Sequence, residues 1–569
     1  MNKKSTTTRK PTKKVNHDID FKDSGKMKNP DDKFCRDYEH PKTNDPSWYD
    51  QYGLMSSAAN VSMYNPTGIK VDLPTDIYKQ NLGSHTHGFT PALFRIPGIM
   101  TFDTAFGPGI ADDVNAAINV AAQSIYTYVR HWNSGAANYE KADLMQYIML
   151  VESAWVMYWQ GVRAYSAMNA VNTLNRYVPR FVTEALGFDY DDLTSKLTLF
   201  RSILDQFAVR ISRFVIPNDL TYAKRLDYLF SNIFVDSMSA KSQFYIYNPA
   251  GYYEFALEGD SDPHPGAGYL KWNWFNTYAG TEPNQHAPWT VDQYQTMLSA
   301  IAENLEDQED FGIMSGDILK AYPNNAVKSV GNVPADLVMQ PIYDQYALEQ
   351  IHNATITGYP VVKDVTDNEV LHNWNVRQNP EINGGELIYN PLIQLTAIIP
   401  ASQNPVYGKR IIDFHRDGIT YLDVTEATRS MAVLKPCVDS GNQSEGYAQI
   451  RATGAETIVK GRVFTINMNG EISESPIYTE NDFNTSDDDS VTEIVSAAAT
   501  FIARLANVSQ FDYAPHTFLL TSLWEMTNAD LDLEGIALFS DIDNYSVIDP
   551  EVVNNIHSAA LLSLFKINL

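Results

Sequence analysis

Side chains with the chemistry of catalysis or metal binding are few and scattered in this sequence. Ser315 lies in GIMSG (312–316), but a nucleophile elbow needs glycine two positions away on both sides of the serine. We therefore predict a small-residue turn between helices there. His85 and His87 could present two imidazoles to a metal ion, but no third ligand is close in sequence, which favours an ordinary loop. The carboxylates at 487–489 suit the positive end of a predicted helix.

Sequence motifs of the common enzyme classes are also absent. There is no glycine-rich dinucleotide or phosphate loop and no H-E-x-x-H zinc motif. The sequence therefore predicts a protein that is not an enzyme, with no catalytic residues, no metal site and no cofactor. A carboxylate pair such as a glycosidase uses can lie far apart in sequence, so a cytosolic hydrolase stays as one alternative.

The most concentrated charge lies in the first fourteen residues, MNKKSTTTRKPTKK, which contain no acid. Residues 1–50 carry twelve Lys/Arg and nine Asp/Glu, a net charge of +3, whereas the whole chain carries -27; the remainder therefore carries -30. A basic arm attracts phosphate groups that an acidic body repels. We predict that the arm contacts RNA without sequence preference, and a non-viral RNA-binding scaffold protein is a second alternative. The predicted RNA-binding residues are Lys3, Lys4, Arg9, Lys10, Lys13 and Lys14.

The elements that would carry these residues divide the chain into segments. Residues 1–50 have almost no aliphatic side chains, which is typical of a disordered arm. Residues 51–323 show mainly helical spacing of apolar side chains, and the stretch at 144–159 is apolar enough to resemble a membrane span. It contains Gln146 and Glu152 and is shorter than the roughly 20 residues that a bilayer requires, so we predict a buried helix. The predicted helices are 112–132, 139–174 with Asn138 as N-cap, 191–214, and one that starts with a Thr290/Gln293 capping box.

Short β-prone runs alternate with turn residues between 324 and 485. Asn469-Gly470 predicts a hairpin, and a helix is expected at about 424–434. Helices return in 486–569, where Ser490 and Glu493 form a capping box and Asp549-Pro550 starts a last helix. The predicted fold is thus a mainly α-helical body with an inserted strand-rich α+β domain and a disordered N-terminal arm.

Five stretches of the chain closely resemble the capsid proteins of picobirnaviruses. The longest are INVAAQSIYTYVRHWNSGAANYEKADLMQY (118–147) and EDFGIMSGDILKAY (309–322). Shorter matches are IPGIM (96–100), RQNPEINGG (377–385) and QFDYAP (510–515), in the same order along the chain. The length and the basic arm are similar as well, although this arm is rich in lysine rather than arginine.

The resemblance implies a structural protein of the virion, synthesised in the host cytoplasm. Its partners would be other copies of itself, as dimers in a small icosahedral shell, and a segmented double-stranded RNA genome. It also implies a helical shell domain formed by 51–323 and 486–569, from which 324–485 projects, and in some members an N-terminal segment that is cleaved during maturation. Only Cys35 and Cys437 are present, which is consistent with a reducing compartment and excludes a disulfide framework.

Overall fold

The structure is a computed structural model in which part of the chain is described. The predicted arm at 1–50, His85, His87 and the Ser490/Glu493 capping box lie outside the described residues, so these predictions stay predictions. The described residues belong to one compact unit, Tyr64–Leu569. They are 96–135, 138–170, 178–217, 220–237, 242–260, 262–275, 288–322, 328, 330–358, 374–382, 385–395, 410–437, 446–466, 472–477, 505–521 and 535–565.

Helices and sheets both contribute to the fold. The described helices are α1 (Ala117–Trp132), α2 (Lys141–Met168), α3 (Val178–Ala185), α4 (Tyr190–Ile211), α5 (Thr221–Ser231), α6 (Val291–Glu306), α7 (Glu309–Ala321), α8 (Gln345–His352), α9 (Tyr421–Ala427) and α10 (Pro550–Leu564). The described strands are β1 (Ile96–Phe106), β2 (Phe234–Val235), β3 (Phe244–Pro249), β4 (Gly251–Leu257), β5 (Gly268–Trp274), β6 (Arg377–Asn379), β7 (Glu386–Ile388), β8 (Leu392–Leu395), β9 (Arg410–Phe414), β10 (Val433–Cys437), β11 (Gly446–Ala452), β12 (Glu456–Ile466), β13 (Ile472–Ile477), β14 (Thr517–Thr521), β15 (Gly535–Phe539) and β16 (Asn544–Ile548).

Helix α2 forms the centre of the core and is buried on almost every side. Its apolar residues surround the whole helix, which is the pattern of a helix enclosed by other elements. It packs against α4, α5 and α6. Gly161 permits this approach, because a Cβ atom there would lie 2.5 Å from Leu204 Cδ2. The prediction of a buried helix is confirmed, and none of the described helices has the length and apolar character needed to span a membrane.

A five-stranded sheet, in the order β13-β12-β1-β3-β2, lies beside these helices. Strand β1 runs antiparallel to β12, with Met100 opposite Val463, and parallel to β3, with Met100 opposite Tyr245. The sheet therefore combines strands from the segment predicted to be helical with strands from the segment predicted to project. The division of the chain at 324 and 485 stays a prediction, but β12 pairs with β1, the first described strand, and β13 pairs with β12.

A second, smaller core lies beside the main one. It contains Ile412 and Phe414 of β9, Ala427 of α9, Ile548 of β16 and Val553 of α10, together with neighbouring apolar side chains. Strand β16 runs antiparallel to β9. The predicted last helix is confirmed as α10, with Asp549 as N-cap and Pro550 in its first turn. This helix brings the C-terminal segment against strands from the middle of the chain.

Local predictions differ in how well they match the described elements. The Thr290/Gln293 capping box of α6 is confirmed. The predicted N-cap Asn138 is wrong, because Glu140 N–H donates to the Asp143 carboxylate at 2.8 Å and α2 begins at Lys141. The helix expected at 424–434 is shorter and starts earlier.

Helix α9 begins at Tyr421 because Thr420 and Asp423 form a capping box. The chain then pairs with β11 from Val433 onward, so it is extended where a helix was expected. Strands β12 and β13 pair with Ile466 opposite Ile472, as the predicted hairpin requires, and the turn at Asn469-Gly470 lies outside the described residues. Strands β3, β4 and β5 were not predicted from the sequence; their aromatic side chains pack in the main core.

Candidate functional site

The predicted RNA-binding residues, Lys3, Lys4, Arg9, Lys10, Lys13 and Lys14, lie outside the described residues. The same holds for His85, His87 and the carboxylates at 487–489. The structure therefore brings none of these side chains into a described site, and their roles stay predictions.

Ser315 lies within helix α7, so the turn predicted for GIMSG is wrong. Nothing lies within 4 Å of a Cβ atom placed at Gly312 or Gly316, so neither position requires glycine for lack of space. The Ser315 hydroxyl donates to Arg213 O at 3.1 Å and accepts from Val215 N at 2.9 Å. These bonds fasten α7 to the chain that follows α4, which is a structural use of the serine.

Glu456, at the start of β12, is the acceptor of a buried ionic network. Arg225 of α5 reaches its carboxylate at 2.6 Å, and Arg429 approaches the same oxygen at 3.8 Å. Arg225 also donates to Gln350 of α8 at 2.6 Å. Because the Glu456 side chain is 0% exposed, these cations are needed to offset its desolvation. The network joins α5, α8 and β12, whose apolar side chains belong to the main core, and Arg429 adds the chain that follows α9.

A second ionic group lies beside the smaller core. The Arg416 guanidinium binds both carboxylate oxygens of Glu349, at 2.7 and 3.1 Å, and also reaches Asp423 at 2.7 Å. Hydrogen bonds from Thr420 and then from Arg416 lower the pKa of Asp423 to about 2. Arg416 therefore ties α8 to α9 at neutral pH.

Large apolar side chains are exposed on several of these elements and are candidates for contacts between subunits. Trp132 of α1 is 51% exposed, and Tyr421 of α9 is 79% exposed. Single exposed apolar residues are common on protein surfaces, but groups on packed elements are typical of interaction surfaces. One group lies on the packed pair α1 and α7 and contains Val120, Trp132, Ile313 and Leu319. The other lies on α8, α9 and β16 and contains Tyr346, Tyr421, Leu422, Tyr545 and Val547.

A cleft of about 630 Å³ is lined by residues of α10, of the start of α1 and its preceding turn, and of strands β10 and β11. Asp112, Arg451 and His557 are among its lining residues. Burial, with the nearby charge of Arg429, lowers the pKa of His557 to about 4. The imidazole is therefore neutral at pH 7.

One group of described residues has the side-chain types of a metal site. His352 ends α8, Asp413 lies in β9, and His415 follows β9; their ligand atoms all lie within 4.8 Å of one another. The His352 ring centre is 4.5 Å from that of His516. This group could not be predicted from the sequence, because His352 and Asp413 are 61 positions apart and no local motif connects them.

Comparisons with known proteins agree on one family. A family model described as "Picobirnavirus, Capsid protein" matches residues 48–521. The capsid protein precursor of human picobirnavirus is 24% identical over 549 residues, which cover 92% of this chain and 91% of that protein. The X-ray crystallographic structure of the picobirnavirus capsid has a fold similar to this chain, with a TM-score of 0.69 at 22% identity. That match covers 92% of this chain and 98% of the solved chain.

Proposed function

This chain belongs to the picobirnavirus capsid protein family, and from that premise we propose that its subunits pair as symmetric dimers and assemble into a small icosahedral shell around a segmented double-stranded RNA genome. The family match over residues 48–521 is the observation that carries the proposal. As a capsid protein the chain is a component of the virion. Its synthesis in the host cytoplasm is part of the proposal.

Contact with RNA is assigned to the N-terminal arm. The six cations within residues 3–14 contrast with a net charge of -30 over the chain beyond residue 50. An acidic body repels a phosphate backbone, so only a basic segment would hold the genome against the inside of a shell. About fifty residues of flexible chain span roughly 40 Å from end to end, which is long enough to reach into a lumen.

Contact between subunits is assigned to the exposed apolar groups. Permanent interfaces are large and more apolar than the rest of a protein surface. The group on α8, α9 and β16 contains Tyr346, Tyr421 and Tyr545, which are 50%, 79% and 61% exposed. Tyrosine provides a large contact area at low cost in conformational entropy, which suits a self-complementary dimer contact.

The segment 324–485 is proposed as the part of the subunit that projects from the shell, with 51–323 and 486–569 forming the shell domain. The pairing of β12 with β1 supports placing the end of this segment at the base of the projection. The loops before β12 would then be the outermost ones.

The proposed role is non-enzymatic. The Ser315 hydroxyl donates to Arg213 O and accepts from Val215 N, and this structural use of the serine supports the proposal. The resemblance to picobirnavirus capsids implies that the arm is cleaved in some members, and N-terminal sequencing of assembled particles would detect such a cut. The alternatives are a non-viral RNA-binding scaffold protein and a cytosolic hydrolase.

Electron microscopy and sedimentation velocity of the purified full-length chain test the proposal. We expect closed particles of uniform diameter, with a dimer as the smallest stable species after mild dissociation. A protein that stays a monomer or small oligomer at all concentrations and salt conditions would contradict the shell. RNA bound to such an oligomer would support the scaffold alternative, and hydrolysis in a substrate screen would support the enzyme alternative.

A further inference from the structure

A small cluster of nitrogen and oxygen ligands lies where the end of α8 meets β9, next to the smaller core. We propose that His352, Asp413 and His415 bind one divalent transition-metal ion, and that Zn²⁺ fits them best. Two imidazoles and one carboxylate form one of the ligand sets that proteins use for Zn²⁺ with an open fourth position. Mg²⁺ and Ca²⁺ prefer sets of oxygen ligands, and this cluster offers a single carboxylate.

The distances within the cluster suit such an ion. His352 Nε2 lies 3.0 Å from Asp413 Oδ2, and all three ligand atoms lie within 4.8 Å of one another. Zn²⁺ bonds of about 2.0–2.2 Å in tetrahedral geometry separate ligand atoms by about 3.3–3.6 Å. The first pair is slightly closer than this, and a pair of ligand atoms at the 4.8 Å limit would have to approach by about 1.2–1.5 Å.

Hydrogen bonds to the outer sides of two ligands already orient them. His352 Nδ1 lies 2.8 Å from Ala514 O and donates to it, which directs Nε2 toward the cluster. Metal-binding histidines usually donate their second ring N–H to a carbonyl or a carboxylate in this way. Asp413 Oδ1 accepts from Asp543 N at 3.0 Å, so that Oδ2 is the oxygen facing His352.

The backbone beneath the carboxylate is fixed as well. Asn353 Nδ2 donates to Asp413 O at 2.9 Å, and Asp413 N donates to Asn353 Oδ1 at 2.8 Å. This paired contact locks the end of α8 onto β9. Ligands on such rigid elements are more precisely placed than ligands on loops.

His415 provides an independent observation. Its Nε2 atom is buried and has no hydrogen-bond partner among the described residues. A buried polar atom without a partner costs free energy and calls for an explanation. A hydrogen bond between His352 Nε2 and Asp413 Oδ2 would satisfy these two atoms, but it would leave His415 Nε2 without a partner. A metal ion in the same place satisfies all three ligand atoms.

The neighbouring rings form the wall of the site. His516 contacts Ser540 Oγ through Nδ1, and its Nε2 lies 3.4 Å from Asn353 Oδ1. Tyr513 packs edge-on against the His415 ring, with 5.2 Å between ring centres. We assign the fourth position to a water molecule, because His516 is held by these partners. The ion would join α8 and β9, and through its outer hydrogen bonds also the segments around 514 and 543.

The test uses the full-length chain, purified, treated with a chelator and then titrated with Zn²⁺ against a chromophoric competitor. We expect one tightly bound Zn²⁺ per chain. His415→Gln should weaken this binding by at least about 10-fold, and His131→Gln, which changes an exposed histidine outside the cluster, should leave it unchanged. Absence of stoichiometric binding, or equal binding by His415→Gln, would overturn the site.

Co²⁺ absorption provides a second readout that a merely structural role would not produce. Co²⁺ bound to the wild-type chain should show the visible bands of a four-coordinate nitrogen and oxygen site. His415→Cys should keep the metal and add a thiolate-to-cobalt charge-transfer band in the near ultraviolet, because the sulfur replaces Nε2 as ligand. A six-coordinate spectrum in the wild type, or no new band in a folded His415→Cys protein, would contradict the proposal. Should His415→Gln fail to fold, the wild-type spectrum and stoichiometry decide the question alone.

Discussion

Lys328 Nζ donates to Glu152 Oε2 at 2.8 Å, across 176 positions of sequence, inside the main core. The two side chains are 9% and 0% exposed. Burial raises the pKa of Glu152 well above its usual range, and the charge of Lys328 opposes that rise. Lys328 also reaches Asp227 at 2.7 Å, so one cation serves two carboxylates. A single lysine therefore bridges Glu152 of α2 and Asp227 of α5.

Replacing Lys328 with Met should destabilise the subunit strongly, because it leaves Glu152 buried without its cation. The expected loss is about 3–5 kcal/mol, the range found when one partner of a buried pair is removed. Denaturant unfolding followed by tryptophan fluorescence measures it. Lys328→Met combined with Glu152→Gln should recover part of the loss, and Lys320→Met, at an exposed lysine, should change little. Equal stability of Lys328→Met and Lys320→Met would refute this reading.

His557 should make the subunit less stable in mild acid. The pKa of His557 is about 4 in the folded chain. Burial is the largest cause of this decrease, and the charge of Arg429 adds to it. Glu456 and hydrogen bonds with the backbone of Met431 and Thr428 act to raise the pKa. The unfolded chain protonates this histidine near 6.5. The contribution of neutral His557 to the free energy of unfolding is thus complete above about pH 6.5. It is lost as the pH falls toward 4, by up to about 3 kcal/mol.

The measurement is the free energy of unfolding between pH 7 and pH 4, for the wild type and for His557→Gln. The variant should show a shallower decline over this window, since its side chain does not titrate. His131→Gln serves as the control at an exposed histidine. Parallel declines in the wild type and His557→Gln would assign the acid sensitivity to other groups.

The arm should bind RNA through phosphates alone. Six cations that each neutralise a phosphate predict a slope of about -4 for log affinity against log salt on single strands. Changing Lys3, Lys4, Arg9, Lys10, Lys13 and Lys14 to Gln should abolish most of this slope and reduce the RNA content of particles, while shells still form. A control with Ser5, Thr6, Thr7, Thr8, Thr12 and Asn16 changed to Gln keeps the charge. Equal RNA content in both variants would show that the basic run is only a solvated tail.

Insertions should distinguish the segment proposed to project, 324–485, from the proposed shell domain. A short flexible insertion between Gln443 and Ser444, in the stretch NQSEG, should leave particle formation intact, because polar, turn-like sequences generally accept extra residues. The same insertion after Met297 should abolish particles, since Met297 is buried in α6. Particle yield by electron microscopy measures both. Assembly after the second insertion and its loss after the first would reverse the domain assignment.

The parts of the fold that the sequence predicted well depend on neighbouring residues. The Thr290/Gln293 capping box and the proline of α10 act within one helical turn, so short-range chemistry identifies them. GIMSG was misread because two glycines favour a turn locally, whereas burial of Phe311, Met314 and Ile318 on one face holds the segment in a helix. The ligands His352, Asp413 and His415 are brought together by the pairing of separate elements, which no local pattern records.

Because β1 pairs with β12, the five-stranded sheet cannot be completed until late in translation. Arg462 of β12 forms an ion pair with Asp103 of β1, 359 positions earlier. At about 5–20 residues per second, translation needs roughly 20–70 seconds to supply β12 after β1 has left the ribosome. During that interval β1 presents an open strand edge, the kind of surface that promotes aggregation until it is covered. A chain interrupted before residue 456 could not close its central sheet, so only subunits translated past that point would acquire the shape required for a shell.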